Sequence, residues 1–121
     1  MTDVQELADR YVAVWNETDA AARRQAIGEL WAPDGLHYWR TFEAQGYAAL
    51  EKRVTDSHNK NVRDGGYRFR AVKNAQALRN VVTFNWEMLP AAGGEVAAVG
   101  LDFVVVDERG RIVSDYQFIV R

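Results

Sequence analysis

The sequence predicts an α+β fold in which a sheet of antiparallel strands follows a group of N-terminal helices. Apolar residues recur at helical spacing as far as about residue 62, whereas from residue 67 onward they alternate with polar residues in a period of two. The later segments are joined by short connections, such as the hairpin turn at 107–110. The 121 residues fit one domain, which we expect to span residues 1–121.

The first two helices follow from apolar stripes with defined ends. Residues from about 3 to 16 carry one stripe, and Thr2 or Asp3 can cap its start. Asp19 opens a second helix, which Pro33 stops. We therefore expect two short helices that bury one face each.

A short strand and a third helix come next. Residues 36–42 predict the strand, and residues 46 to about 62 predict the helix, which ends at a pair of glycines. His58 lies on this helix among polar neighbours, so we expect it at the solvent edge.

The second half of the chain is predicted to form strands. Residues 82–88 alternate most clearly, and the nearly continuous apolar run 96–106 indicates a strand that is buried on both faces. The predicted strands cover residues 67–71, 82–88, 96–106 and 112–120.

The composition excludes several classes of function. The chain has no cysteine, so it has no disulfide, thiolate nucleophile or Cys-ligated zinc. Its net charge of -2 is unfavourable for binding the phosphate backbone of nucleic acids. No apolar run approaches the roughly 20 residues of a membrane span, and the start has no signal-peptide pattern. We therefore expect a cytoplasmic protein that binds neither nucleic acid nor a membrane.

Asp102 is the strongest candidate for a catalytic residue because it interrupts the apolar run 99–106. A buried carboxyl either finds hydrogen-bond donors or becomes protonated, and a protonated carboxyl can donate to a ligand oxygen. The alternative is a structural aspartate that is hydrogen-bonded to backbone near Gly100.

His37 and Tyr11 are further candidates. His37 shares one face of its predicted strand with Trp39, where it could act as an acid or base near neutral pH or serve a structural role. Tyr11 lies on the apolar stripe of the first helix, and its hydroxyl needs a partner if it is buried. Two histidines without a nearby carboxylate cluster make a metal site improbable.

The last strand leaves its inner face undecided. Asp115 and Gln117 share one face, whereas Tyr116 and Phe118 share the other. If the Asp115 face meets the helices, an interior cavity gains two polar groups and the aromatic face is exposed as a surface for another chain. If the aromatic face meets the helices, Asp115 and Gln117 are merely solvated.

Four segments resemble the nuclear transport factor 2-like superfamily and, within it, the SnoaL-like polyketide cyclase group. They are Arg10–Asn16, Leu30–Gly35, Gly46–Leu50 and the stretch from Leu101 to Val113. The resemblance implies a cone: a curved antiparallel sheet wrapped over three helices, with a pocket inside. It also implies that Asp115 and Gln117 face the pocket, and that Tyr116, Phe118 and Val120 face the second chain of a homodimer.

A comparison with ketosteroid isomerase, a relative in that superfamily, extends the resemblance to single residues. The helix tyrosine that donates to the oxyanion in that enzyme matches Tyr11, and its protonated aspartate matches Asp102. Its general base would fall at Trp39, which cannot abstract a proton. The resemblance therefore implies two of the three catalytic groups.

We expect a small-molecule-binding domain and carry two functions forward. The first is an isomerase, cyclase or dehydratase that acts on a small, apolar, oxygen-bearing substrate without a cofactor or metal, because proton transfer needs only positioned side chains. Asp102 would be the acid, Tyr11 would support it, and His37 or Asp115 would be the base. The second is a non-catalytic ligand-binding or dimerisation module, which Trp39 favours. The expected substrate-binding residues are Trp39, Val82, Phe84, Trp86, Val104 and Gln117.

Overall fold

Three helices pack on one curved, mixed sheet of seven strands, which confirms the predicted α+β class. The computed structural model describes residues 3–121, so Thr2, one of the two expected helix caps, lies outside the described residues. The helices are α1 (Val4–Asn16), α2 (Ala20–Leu30) and α3 (Gly46–Ser57), and a π-helical turn, His58–Arg63, continues α3. The strands are β1 (Trp31–Trp39), β2 (Phe42–Gln45), β3 (Tyr67–Ala71), β4 (Gln76–Leu78), β5 (Val81–Pro90), β6 (Ala98–Val106) and β7 (Ile112–Ile119).

Both predicted helix starts are capped by aspartate side chains. Asp3 accepts a hydrogen bond from the backbone N–H of Gln5, and Asp19 accepts one from that of Ala22. These bonds satisfy N–H groups that have no acceptor inside the helix. The caps therefore fix where α1 and α2 begin.

The expectation of an antiparallel sheet is wrong at one strand pair. The strand order is β2-β1-β7-β6-β5-β3, with β4 also on β5, and β1 runs parallel to β7 while every other pair is antiparallel. Parallel neighbours need a long connection, and here everything from β2 to β6 lies between the two strands. Periodicity along a strand carries no information about its direction, so the sequence could not reveal this pair.

The single strand predicted at residues 36–42 is instead part of a hairpin of two strands. β1 begins at Trp31 and is interrupted by an irregularity before Leu36, and β2 returns along it after a two-residue turn of Arg40 and Thr41. Arg40 has φ of 52°, in the left-handed region that disfavours side chains with a Cβ. The turn therefore holds an arginine in a strained backbone conformation.

His58 is buried, so its expected place at the solvent edge is wrong. Its Nδ1 lies 3.1 Å from the backbone carbonyl oxygen of Trp15. The chain turns from α-helix to the wider π-helix at this residue, and its side chain packs against the end of α1.

The sequence did not predict β4, because its three residues are all exposed and show no alternation.

The inner face of the sheet carries the core, and it includes the Asp115 face of β7. Asp115 is buried, whereas Tyr116 and Phe118 are exposed on the opposite side. The face of β7 that carries Asp115 and Gln117 therefore meets the helices, so these two polar groups lie on the inner side of the sheet.

Within residues 3–121, no helix combines the length and the apolar character needed to cross a bilayer.

Candidate active site

Asp115 is the centre of a buried hydrogen-bond cluster. Its Oδ1 accepts from the Tyr11 hydroxyl at 2.9 Å and lies 2.5 Å from Nδ1 of His37, while its Oδ2 accepts from the Trp31 indole N–H at 3.0 Å. The parallel register of β1 and β7 places His37 directly opposite Asp115. Because the site is fully buried, the three bonds replace the water that a carboxylate would otherwise need.

The hydrogen bonds of His37 define which ring nitrogen carries the proton and which carries the lone pair. Its Nε2 lies 3.3 Å from Nε of Arg53. A guanidinium group can only donate, so this bond places the lone pair on Nε2 and the proton on Nδ1, toward Asp115. Trp39 stacks on the ring with 5.1 Å between centroids. The result is an imidazole that is oriented by a carboxylate at one nitrogen and has an acceptor nitrogen at the other.

Arg53 on α3 covers this histidine and is a residue that the sequence analysis missed. Its guanidinium carbon lies 4.2 Å from the Trp39 ring centroid and 5.1 Å from that of Trp15, and its Nη2 donates to Oε1 of Gln117 at 2.9 Å. Burial lowers the pKa of Arg53 from its usual value. Arg53 directly precedes Val54, a member of the apolar stripe of α3, so its position at the edge of the buried face was the available signal.

Asp102 is fully buried, and neither carboxyl oxygen has a hydrogen-bond partner among the described residues. Burial raises the pKa of Asp102 well above its usual range, and the nearby charge of Asp115 raises it further. The Trp86 indole N–H and the charge of Arg53 act to lower the pKa of Asp102. The indole N–H does not meet hydrogen-bond geometry, however, and it has no partner among the described residues. The environment of the Asp102 carboxyl therefore favours its protonated form. The alternative of a structural aspartate bonded to backbone is not what the structure contains.

Gly100 makes room for the indole ring beside Asp102. Trp86 and Gly100 face each other across β5 and β6, and a Cβ built on Gly100 would lie 2.0 Å from two ring carbons of Trp86. Phe69 packs edge-on against the same indole at 5.5 Å between centroids. The ring consequently lies against the β6 backbone at Gly100, and it lines the cavity.

A cavity of about 1030 Å³ opens beside these groups. This volume is at the upper end for small-molecule sites. Its lining includes Tyr11, Trp15, Trp39, Arg53, Trp86 and Gln117. The expected wall residues Val82, Phe84 and Val104 are instead buried in the core, because they lie deeper on the strands than the cavity reaches.

The candidate catalytic residues lie at different distances from this cavity. Tyr11 contributes to its wall, whereas His37, Asp102 and Asp115 are fully buried behind lining side chains. The Tyr11 hydroxyl donates to Asp115, so in this arrangement its proton is not available to a ligand. Among residues 3–121, no three histidine, aspartate or glutamate side chains are grouped so that they could hold a metal ion.

Residues 8–115 match the family model of the SnoaL-like domain. The chain belongs to the SnoaL-like family. Its structure is similar to that of a candidate isomerase of the SnoaL-like family from Agrobacterium tumefaciens strain C58, with a TM-score of 0.87 and 26% identity over 100% of both chains. No curated protein sequence matches it.

Two more distant structures share the fold of this SnoaL-like protein. A candidate polyketide cyclase from Sinorhizobium meliloti superposes with a TM-score of 0.68 at 13% identity, over 93% of this chain and 94% of that one. A nuclear transport factor 2-like protein of unknown function from Mesorhizobium loti superposes with a TM-score of 0.63 at 17% identity, over 100% and 97%. The predicted family and fold are thus confirmed.

Proposed function

We propose that this SnoaL-like protein is an acid–base enzyme that isomerises, cyclises or dehydrates a small, largely apolar substrate with a carbonyl oxygen. The supporting observation is the presence of two unlike groups in one interior: the buried, unpartnered carboxyl of Asp102, whose pKa is raised by burial, and the His37–Asp115 pair. A buried carboxyl without a hydrogen-bond partner and a histidine oriented by a second carboxyl group can supply an acid and a base in one site.

In the proposed reaction, Nε2 of His37 removes a proton from the carbon next to the substrate carbonyl. Asp115 holds the ring and stabilises the imidazolium that forms, and Tyr11 and Trp31 hold Asp115. Asp102 donates its proton or a hydrogen bond to the carbonyl oxygen. His37 would thus serve as the general base, a role that in ketosteroid isomerase belongs to an aspartate at the position matching Trp39.

Two side chains have to move for this reaction. Arg53 donates to Nε2 of His37, so it must release that nitrogen before a proton can be taken. Asp102 is not exposed on the cavity wall, so its neighbour Trp86 must shift to admit the substrate oxygen. Substrate binding supplies the free energy for both movements.

Carbon-13 NMR of aspartate-labelled protein tests the proposal without knowledge of the substrate. The Asp102 carboxyl resonance, assigned by its loss in Asp102→Asn, is expected to remain at the protonated position at pH 7, because burial disfavours the anion. The exposed Asp64, whose pKa is lowered by its hydrogen bond from Arg63, serves as the reference resonance. An Asp102 resonance that titrates together with that of Asp64 contradicts the proposal.

Exchange of the α-proton of 2-tetralone in deuterated water tests the chemistry itself. Wild type is expected to accelerate exchange above the buffer rate, and Asp102→Asn and His37→Gln are each expected to reduce the enzymatic rate by about a hundredfold or more. Asp64→Asn, which changes an exposed carboxyl that pairs with Arg63 and lies outside the cavity lining, should leave the rate unchanged. Equal rates for all three variants would show that the buried groups take no part.

A role in dimerisation is supported by a separate observation, the exposed apolar face of the sheet. Tyr116 is 41% exposed, Phe118 is 50% exposed and Val120 is 58% exposed. Exposed apolar patches of this kind usually bind another protein surface. We propose that the protein forms a homodimer through this face, of which Tyr116 and Phe118 also line part of the cavity.

A further inference from the structure

We propose that the ligand of the cavity carries a carboxylate group and that Arg53 binds it. This inference rests on the proposed function, since it names the substrate class of the same cavity. The expected ligand is thus an apolar carboxylic acid anion that also bears the reacting carbonyl.

The hydrogen bonds of Arg53 leave most of its guanidinium unused. The group has five N–H bonds, of which one faces His37 and one faces Gln117. Three N–H bonds therefore have no protein acceptor among the described residues, and two of them are on Nη1. Within residues 3–121, Arg53 also forms no direct ion pair, although Asp115 lies nearby, behind His37.

The guanidinium is held in a fixed plane on the cavity wall. It lies over the rings of both Trp39 and Trp15, and the two acceptors at its edge set its rotation. A carboxylate binds best to a planar donor group that needs no reordering, because it accepts two parallel bonds. Burial of a cation without a carboxylate beside it is unfavourable, so an anionic ligand would remove an existing cost.

The other charged residues of the cavity favour the same ligand. Arg40 and Lys60 also line it, and within residues 3–121 neither forms an ion pair. The lining carboxylate Asp56 is already bound by Lys52 at 2.7 Å. Asp102 is not among the residues that line the cavity. The lining therefore carries three cations against one carboxylate, although the chain as a whole has a net charge of -2.

The backbone conformation of Arg40 is a second, independent observation that supports an anionic ligand. It occupies the left-handed position of the β1–β2 turn, with φ of 52°, where glycine is the unstrained residue. The turn thus keeps a cation at the cavity mouth at a cost in backbone energy. Strain of this kind is concentrated at ligand-binding sites.

Binding of a carboxylate would also release the proposed base. The bond from Arg53 to Nε2 of His37 is long, at 3.3 Å, and a carboxylate is a stronger acceptor than an imidazole nitrogen. When the guanidinium shifts within its plane toward the ligand, this long bond breaks and Nε2 becomes free to accept a proton. The same residue would then recognise the substrate and make the base available only when substrate is present.

Calorimetric titration with 2-naphthoate and its uncharged isostere 2-naphthamide tests the inference. Wild type is expected to bind the carboxylate at least about tenfold more tightly than the amide, because the bonds involve two charged partners. Arg53→Gln should weaken 2-naphthoate binding by about tenfold to a hundredfold and change 2-naphthamide binding by less than about threefold. Arg10→Gln is the matched control, since Arg10 is exposed and lies outside the cavity.

A second variant guards against a structural effect of the first. Arg40→Gly removes a cation and relieves the strained turn, and it should weaken only the carboxylate, by about twofold to fivefold. Equal dissociation constants for the two probes in wild type, or equal losses for both in Arg53→Gln, overturn the inference. These outcomes leave the acid–base proposal intact, whereas an Asp102 that titrates normally would overturn that proposal and not the carboxylate preference.

Discussion

The close approach of Trp86 to Gly100 predicts a large effect of adding one methyl group. In Gly100→Ala the new Cβ would lie 2.0 Å from two carbons of the indole and 2.5 Å from its nitrogen. Ordinary carbon contacts are about 3.5 Å or more, so the ring must retreat by about 1.5 Å. Trp86 is buried and held by Phe69 on its other side, so retreat requires repacking. We expect a loss of about 3 kcal/mol in the free energy of unfolding, the upper end for overpacked cores.

Urea unfolding followed by circular dichroism measures this loss, and the same substitution elsewhere in the chain is the control. Gly28 lies inside α2, and a Cβ there meets nothing within 4 Å. Gly28→Ala should therefore stabilise the protein by about 0.5 to 1 kcal/mol through higher helix propensity. A Gly100→Ala protein within about 0.5 kcal/mol of wild type would refute the argument that this glycine is required for ring packing.

Two further predictions concern the pH dependence and the assembly. Above about pH 4 the unfolded chain releases the Asp102 proton, whereas the folded protein retains it because burial raises the pKa. The free energy of unfolding of the wild type should therefore fall as the pH rises, by up to about 1.4 kcal/mol per pH unit, until the folded carboxyl ionises. Asp102→Asn should lack this decline in urea unfolding between pH 4 and 8, and parallel profiles would contradict the buried-acid assignment. Sedimentation velocity should show that the wild type is a dimer and that Phe118→Lys is a monomer. Phe42→Lys should stay dimeric, because Phe42, at 57% exposure against 50% for Phe118, lies outside the proposed interface. A monomeric wild type would be inconsistent with that interface.

The elements that could be predicted from sequence are those whose signal is local. Asp19 marks the start of α2 because its side chain caps a backbone N–H three residues away. The alternation of Val82, Phe84 and Trp86 identifies the buried face of β5 because side chains on a strand point to opposite sides. Asp102 was expected to be buried because it has apolar neighbours on both sides in sequence, and it is fully buried.

The arrangement of the site depended on contacts that no local pattern encodes. His37 and Asp115 were expected as alternative bases, whereas the parallel pairing of β1 and β7 joins them into one hydrogen-bonded pair. Arg53 was not identified, because an arginine at the edge of a helical stripe looks the same whether it faces water or a cavity. Burial of the Asp115 face required the packing of helices against the sheet, and only the resemblance to the superfamily indicated it.

The position of β7 in the middle of the sheet has a consequence for how the molecule is made. The Tyr11–Asp115 hydrogen bond joins residues 104 positions apart, and the His37–Asp115 contact joins residues 78 apart. During synthesis the N-terminal helices and first hairpin emerge long before the segment that supplies their common acceptor. The buried cluster around Asp115 therefore assembles only after that residue has left the ribosome, and a high contact order of this kind slows folding.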